Sequence, residues 1–168
     1  MSLTMYTATV PTCTRALNNL AAILEKAAAH AEARKIAPAV LLNTRLFPDM
    51  FPLATQIHIA NDIAQSGAAR LAGATVPSFE AKERTLPEWI AATRATVAYL
   101  ESLQPSQFEG AEDRSISWQT RTSTRNMQGT PYLFNHVLPN VFFHVTTAYD
   151  ILRQAGMELG KLDYLGRN

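Results

Sequence analysis

A four-helix bundle is the fold class this chain predicts, on three observations. Apolar residues recur at three- and four-residue steps in four separate stretches. Prolines and glycines punctuate the ends of those stretches. With 168 residues, 47% of them hydrophobic, the chain is long enough to bury a core as a single domain, residues 1–168, without covalent staples. Between the third and fourth helical stretches the rhythm changes, so the bundle carries a long irregular or short β-hairpin excursion there.

The first helix spans Met5 to about Ala37. Val10, Leu17, Leu20, Ala21, Leu24 and Ala28 form its apolar stripe, Pro11 falls within its first two turns, and Pro38 ends it. Residues 38–49 read as a connection that carries apolar cargo, including Val40, Leu41, Leu42 and Phe47. Pro48 and Pro52 bracket the start of the second helix, whose inward stripe is Met50, Leu53, Ile57, Ala60, Ala64, Gly67 or Ala68, and Leu71, with Gly73 just past its end. Thr85-Leu-Pro-Glu88 opens the third helix with the spacing of a capping box, and Pro105 stops it. Across residues 104–136, Ile116, Trp118 and Thr120 alternate with polar neighbours, the period of a strand, and Gly129-Thr-Pro131 marks a turn. The last helix runs from near Pro139 to Ala155, with Gly156 as its stop. Val137, Val141, His144, Ala148, Ile151 and Ala155 line one stripe; Leu138, Phe142, Val145, Tyr149 and Leu152 line the adjacent one. Apolar around most of its circumference, this helix is expected to be central and largely buried.

Composition excludes several classes of function. Fifteen Lys+Arg against 14 Asp+Glu leave no electrostatic footprint for nucleic acid or anionic lipid. No apolar run approaches the roughly 20 residues of a membrane span, and the first residues lack the basic start and apolar core of a signal peptide. One cysteine, Cys13, rules out a disulfide framework and fits a reducing compartment. The expectation is a cytoplasmic protein. Glycine-rich phosphate loops, a GxSxG elbow and a His-Glu-x-x-His helix are all missing from the sequence.

Two histidines stand out. His144 sits in the inner stripe of the last helix, where an unpaired imidazole costs roughly 1–3 kcal/mol and must find a partner or a metal. Asn140 lies one turn before it and Thr147 on the next turn. His58 flanks the inward stripe of the second helix beside Ile57, close to Asn61 and Asp62. If the second and fourth helices are neighbours, two imidazoles and the Asn140 amide oxygen make an open metal site of catalytic type; the competing reading is a hydrogen-bonded core histidine. His30 and His136 read as exposed or structural, and Phe134, Phe142, Phe143 and Tyr149 as core packing. Cys13 has no activating neighbour, and Arg121 and Arg125 read as a solvated turn.

Three segments carry a family resemblance: Phe51-Pro-Leu53 through Asp62 to Ala69-Arg-Leu-Ala-Gly73, the Pro139–Gly156 helix, and the closing Leu159-Gly-Lys-Leu-Asp-Tyr-Leu-Gly166. They resemble the DinB/YfiT-like superfamily and, within it, a bacterial domain family of unknown function. The resemblance implies a four-helix bundle, often a homodimer, and in metal-bearing members a divalent ion such as zinc or nickel held by one histidine on the second helix and two, four residues apart, on the last. His144 matches the final ligand, twelve residues before Gly156, and His58 is matched to the second-helix ligand. Asn140 replaces the middle histidine, and Val145 stands where an arginine commonly follows. The first functional reading is a metal-dependent hydrolase or thiol-dependent transferase with a bound water as reactive group, and Asp62 or Tyr149 as proton carriers if they point toward the site. The alternative is a non-catalytic small-molecule-binding or stress-associated module that has lost the metal. Expected partners are a second copy of the chain and a small-molecule ligand.

Overall fold

The computed structural model describes residues 3–80, 82–120 and 122–166. Four long helices form the predicted bundle: α1 (Met5–Arg34), α3 (Leu53–Leu71), α4 (Leu86–Ser102) and α6 (Leu138–Gln154), with the short helices α2 (Pro38–Asn43), α5 (Gly129–Tyr132) and α7 (Lys161–Leu165) between or after them. α1 packs along α4 and α6, and α3 along α6 and α4, so each long helix has two neighbours around one core. The second and fourth long helices are therefore adjacent.

Local chemistry accounts for most of the ends. Thr4 caps α1, its hydroxyl accepting from the Thr7 amide while Thr7 returns a bond to the Thr4 amide. α1 stops at Arg34 rather than Ala37, because Lys35 turns left-handed (φ 54°) and its amide reaches back to the carbonyls of Ala31 and Glu32. The expected connection after it contains a six-residue helix, α2, with Pro38 at its start and Leu41 and Leu42 buried. In α3 the stripe Leu53, Ile57, Ala60, Ala64, Ala68 and Leu71 is wholly buried. Thr85 and Glu88 form the predicted capping box of α4.

The excursion is a hairpin. Strands β1 (Ser115–Gln119) and β2 (Thr124–Gln128) pair antiparallel, Ser115 opposite Gln128 and Trp118 opposite Arg125. The segment after β2 differs from the turn that its residues predict. Gly129-Thr-Pro131 starts α5, and helical backbone continues through a π-type turn, Leu133–Val137, into α6. Pro139 has no amide to give to the preceding turn, and the wider π turn accommodates that gap, the Leu138 amide bonding five residues back to the Leu133 carbonyl. α6 is less buried than predicted. Val141, His144, Val145, Ala148, Ile151 and Leu152 face the core, whereas Phe134, Phe142 and Phe143 are exposed, because one 3.6-residue stripe already fills the seam with α3. At the C-terminal end α7 is tied down by Lys26–Asp163 (2.6 Å), by the Asn19 amide donating to the Tyr164 carbonyl (2.8 Å) and by Thr146 donating to the Tyr164 hydroxyl (2.9 Å). Among the described residues no helix is long and apolar enough to cross a membrane.

The seam between α3 and the π turn depends on Gly67. A Cβ there would lie 2.7 Å from Val137 Cγ2. Gly67→Ala is expected to lower stability in urea denaturation, because about 1–3 kcal/mol of overpacking exceeds the roughly 1 kcal/mol that alanine gains over glycine within a helix. Val137→Ala in the same chain should recover part of the loss; a Gly67→Ala protein more stable than the parent would contradict the close packing.

Candidate functional site

His144 is 7% exposed, and its Nδ1 lies 2.6 Å from the side-chain Oε1 of Gln56 on α3. Gln56 is itself buried, and its Nε2 donates to the Phe51 carbonyl at 3.0 Å. That second bond fixes the amide orientation, so Oε1 is the acceptor and His144 donates through Nδ1–H. Burial holds the His144 pKa below the ordinary imidazole value, which keeps the ring neutral at pH 7. Phe143 stands edge-on to it, with 5.2 Å between ring centroids. Thr147 is not a partner; its hydroxyl donates to the Phe143 carbonyl.

Asn140, half-buried one turn before His144, donates its side-chain amide to the His136 carbonyl at 2.6 Å. His58 comes two residues after Gln56, which turns it about 200° around the α3 axis. Its contacts are accordingly with other elements: Phe79 at 5.3 Å and Trp89 of α4 at 6.3 Å between centroids. Across the α3–α6 seam the partner of His144 is thus Gln56, and His58 faces away. Among the described residues, no group of three or more His, Cys, Asp or Glu side chains is arranged to hold a metal. The donors at His144 are one imidazole nitrogen and neutral amides, and Gln56 Oε1 already accepts the imidazole proton. Such a set does not fit a zinc- or nickel-type ion, which favours several imidazole or thiolate ligands.

His58 instead lines an open cleft of about 470 Å³ between α2, α3, the segment before α4, and α4 itself. Leu42, Ala54 and Trp89 supply apolar wall; Asn43, Thr55, Lys82, Glu83 and Arg84 supply polar groups. The Arg84 guanidinium lies 4.8 Å above the Trp89 ring and 5.2 Å from the Phe79 ring. His58 Nδ1 is inaccessible and has no hydrogen-bond partner among the described residues. Burial lowers the His58 pKa, the Asp62 carboxylate one turn on opposes that shift, and Arg84 adds to it. Burial likewise raises the pKa of Asp62, with His58 and Arg70 acting against it. Tyr149 stands edge-on to Tyr164 of α7, with 6.0 Å between ring centroids.

His136 belongs to an aromatic group that sequence spacing does not bring together. Trp118 of β1 lies 4.7 Å from it and 4.9 Å from Tyr132, Tyr132 stacks on His136 at 5.3 Å, and Arg70 donates to the Tyr132 hydroxyl at 3.1 Å. The cluster seats the hairpin on the π turn. The alternation around Trp118 signals the strand, but nothing local signals which helix it meets. Cys13 is fully buried, its thiol pushed up to about 12 by desolvation, which leaves no thiolate to act as nucleophile. His30 is half-buried and Arg125 exposed; Arg121 lies outside the described residues.

Comparison with known proteins adds two findings. The family model described as a domain of unknown function, DUF1993, matches residues 5–165. A crystal structure described as a DinB family member protein from Shewanella denitrificans superposes with a TM-score of 0.90 at 41% identity, covering 97% of this chain and 92% of that one. Among curated proteins, none matches the chain.

The His144–Gln56 bond has a measurable cost of removal. Gln56→Leu leaves the imidazole N–H unpaired in the core and is expected to lower stability by about 1–3 kcal/mol, while Gln56→Leu with His144→Leu recovers most of the loss. The pH dependence has a definite sign. His58, His136 and His144 all have lowered pKa values in the fold, so the unfolded chain binds more protons and stability falls as pH drops through about 6.5. Urea denaturation at pH 7.5 and 5.5 should show the decline, and His144→Gln should reduce it.

Proposed function

The chain belongs to the DUF1993 family of DinB-like bundles, and from that premise we propose that it is a non-catalytic binding module that has exchanged the superfamily's metal for a hydrogen-bonded core pair. The observation that carries this reading is the 2.6 Å contact between His144 Nδ1 and Gln56 Oε1. The last-helix histidine keeps its place, but the α3 residue facing it is a neutral amide that accepts a proton rather than a ligand that binds a cation. Asn140, the other element of the superfamily's pattern, is engaged with the backbone beside Pro139. Function then resides in the cleft on the opposite face of α3. Its volume of about 470 Å³, and a wall that mixes apolar with polar and charged side chains, suit a small-molecule site.

Metal linkage tests the reading. Protein purified without chelator should contain well under one equivalent of zinc or nickel. Because a ligand that binds only the folded state raises its stability, the unfolding temperature should not respond to either ion at concentrations up to about a hundred times that of the protein. Stoichiometric metal that is lost in a His144→Ala protein would return the metal-dependent hydrolase or transferase reading to first place.

A further inference from the structure

We infer that the cleft between α2, α3 and α4 takes a small, flat, anionic ligand, an aromatic carboxylate, with Arg84 receiving the carboxylate and Trp89, Leu42 and Ala54 enclosing the ring. The inference rests on the binding-module reading above and narrows it to one ligand chemistry.

Arg84 is half-buried and held in place, its guanidinium packed against the rings of Phe79 and Trp89 and its Nη1 donating to the Glu80 carbonyl at 3.0 Å. No carboxylate pairs with it among the described residues. Lys82 pairs with Glu80 at 3.3 Å on the surface. Glu88 is engaged in the capping box: the Thr85 amide and hydroxyl donate to its Oε2 and are the main reason its pKa is lowered, with Lys82 and Arg84 adding smaller contributions. Glu83 is exposed at the rim, where water screens its charge. A guanidinium carries five donors in a planar fork that matches a carboxylate. Here that fork is partly desolvated, immobilised by two aromatic rings, and placed at the edge of a cavity that His58 also lines. His58, neutral at pH 7, brings no competing cation and no negative charge. Leu42, Ala54 and the Trp89 ring form the apolar part of the wall, against which a ring can pack, and Asn43 and Thr55 add neutral polar groups beside them.

The full-length 15N-labelled protein is titrated with three probes of one shape: 2-naphthoate, 2-naphthalenemethanol and 2-naphthylmethylammonium. The readout is the indole N–H signal of Trp89, assigned with a Trp89→Phe protein. The naphthoate is expected to shift that signal saturably and to bind at least about tenfold more tightly than the alcohol, with the ammonium weakest. Arg84→Gln should cost the naphthoate about tenfold to a hundredfold while leaving the alcohol unchanged. Arg84→Lys, which keeps the charge and loses the fork, should fall between, and it serves as the test should the glutamine variant disturb the loop. Equal binding of all three probes, or preference for the ammonium, overturns the anionic assignment and leaves the binding-module reading standing. Probes that never move the Trp89 signal refute the cleft itself, and this inference with it.

Discussion

An imidazole buried in an apolar seam is the constraint around which the rest of this molecule is arranged. His144 occupies a core position of α6, and the only inexpensive way to keep it there is a neutral ring with its N–H satisfied. Gln56 provides the acceptor, and the Phe51 carbonyl in turn orients Gln56. The chain of bonds therefore runs from the segment before α3, through α3, to α6. It sets the rotation of α3 about its own axis, and that rotation decides which side chains face α6 and which face α2 and α4. A second buried amide on α3 points to another neighbour: Asn61 donates to the Thr93 hydroxyl on α4 at 3.1 Å. Two polar bonds on different sides of one helix thus add directional contacts to both partners, beside the close apolar packing of Gly67 on Val137.

The same rotation bears on the proposal that a metal site has been lost. A site of that kind requires ligands that meet across the α3–α6 seam. Here the seam brings together an imidazole and an amide, while the second imidazole looks out on the other face of the helix. Asn140 departs from the pattern for a local reason as well. It comes directly after Pro139, next to a π turn in which the normal ladder of backbone bonds is interrupted, and its side chain bonds to the carbonyl of His136. Its amide thus contributes to holding the helix entry together, a task that a histidine ligand pointed at a metal would not perform.

How much of this is legible from residues alone differs by level. The long helices are, because apolar periodicity and capping chemistry are local: the α3 stripe from Leu53 to Leu71 and the Thr85–Glu88 box stand in the structure as the spacing predicts. The run into α6 is not, because Gly129 and Pro131 carry ordinary turn signals, and only the packing of Tyr132 and Leu133 into the core makes the segment helical. The outward phenylalanines escape prediction because hydrophobicity says that a side chain prefers burial, not that a neighbouring helix has room for it. At the site, the apolar stripe of α6 places His144 correctly in the core. Its partner is harder to see, because His58 is the more reactive residue type and draws the eye first. The signal is nonetheless present: Gln56 lies three residues after Leu53 and four before Ala60, within the inward stripe, whereas His58 does not. The cleft is out of reach, since it needs the meeting of α2, Arg84 and Trp89 across more than thirty residues of sequence.

On its other face α3 forms a wall of the cleft, so the binding proposed there places no demand on the His144 locus. The most direct measurement of this account is a long-range 1H–15N spectrum of the imidazoles near pH 7, with His144 assigned by substitution. The predicted result is a neutral ring that carries its proton on Nδ1, slow to exchange with solvent and unchanged by added zinc. A ring protonated on Nε2, a charged imidazolium, or a zinc-dependent shift of the His144 nitrogens would contradict it.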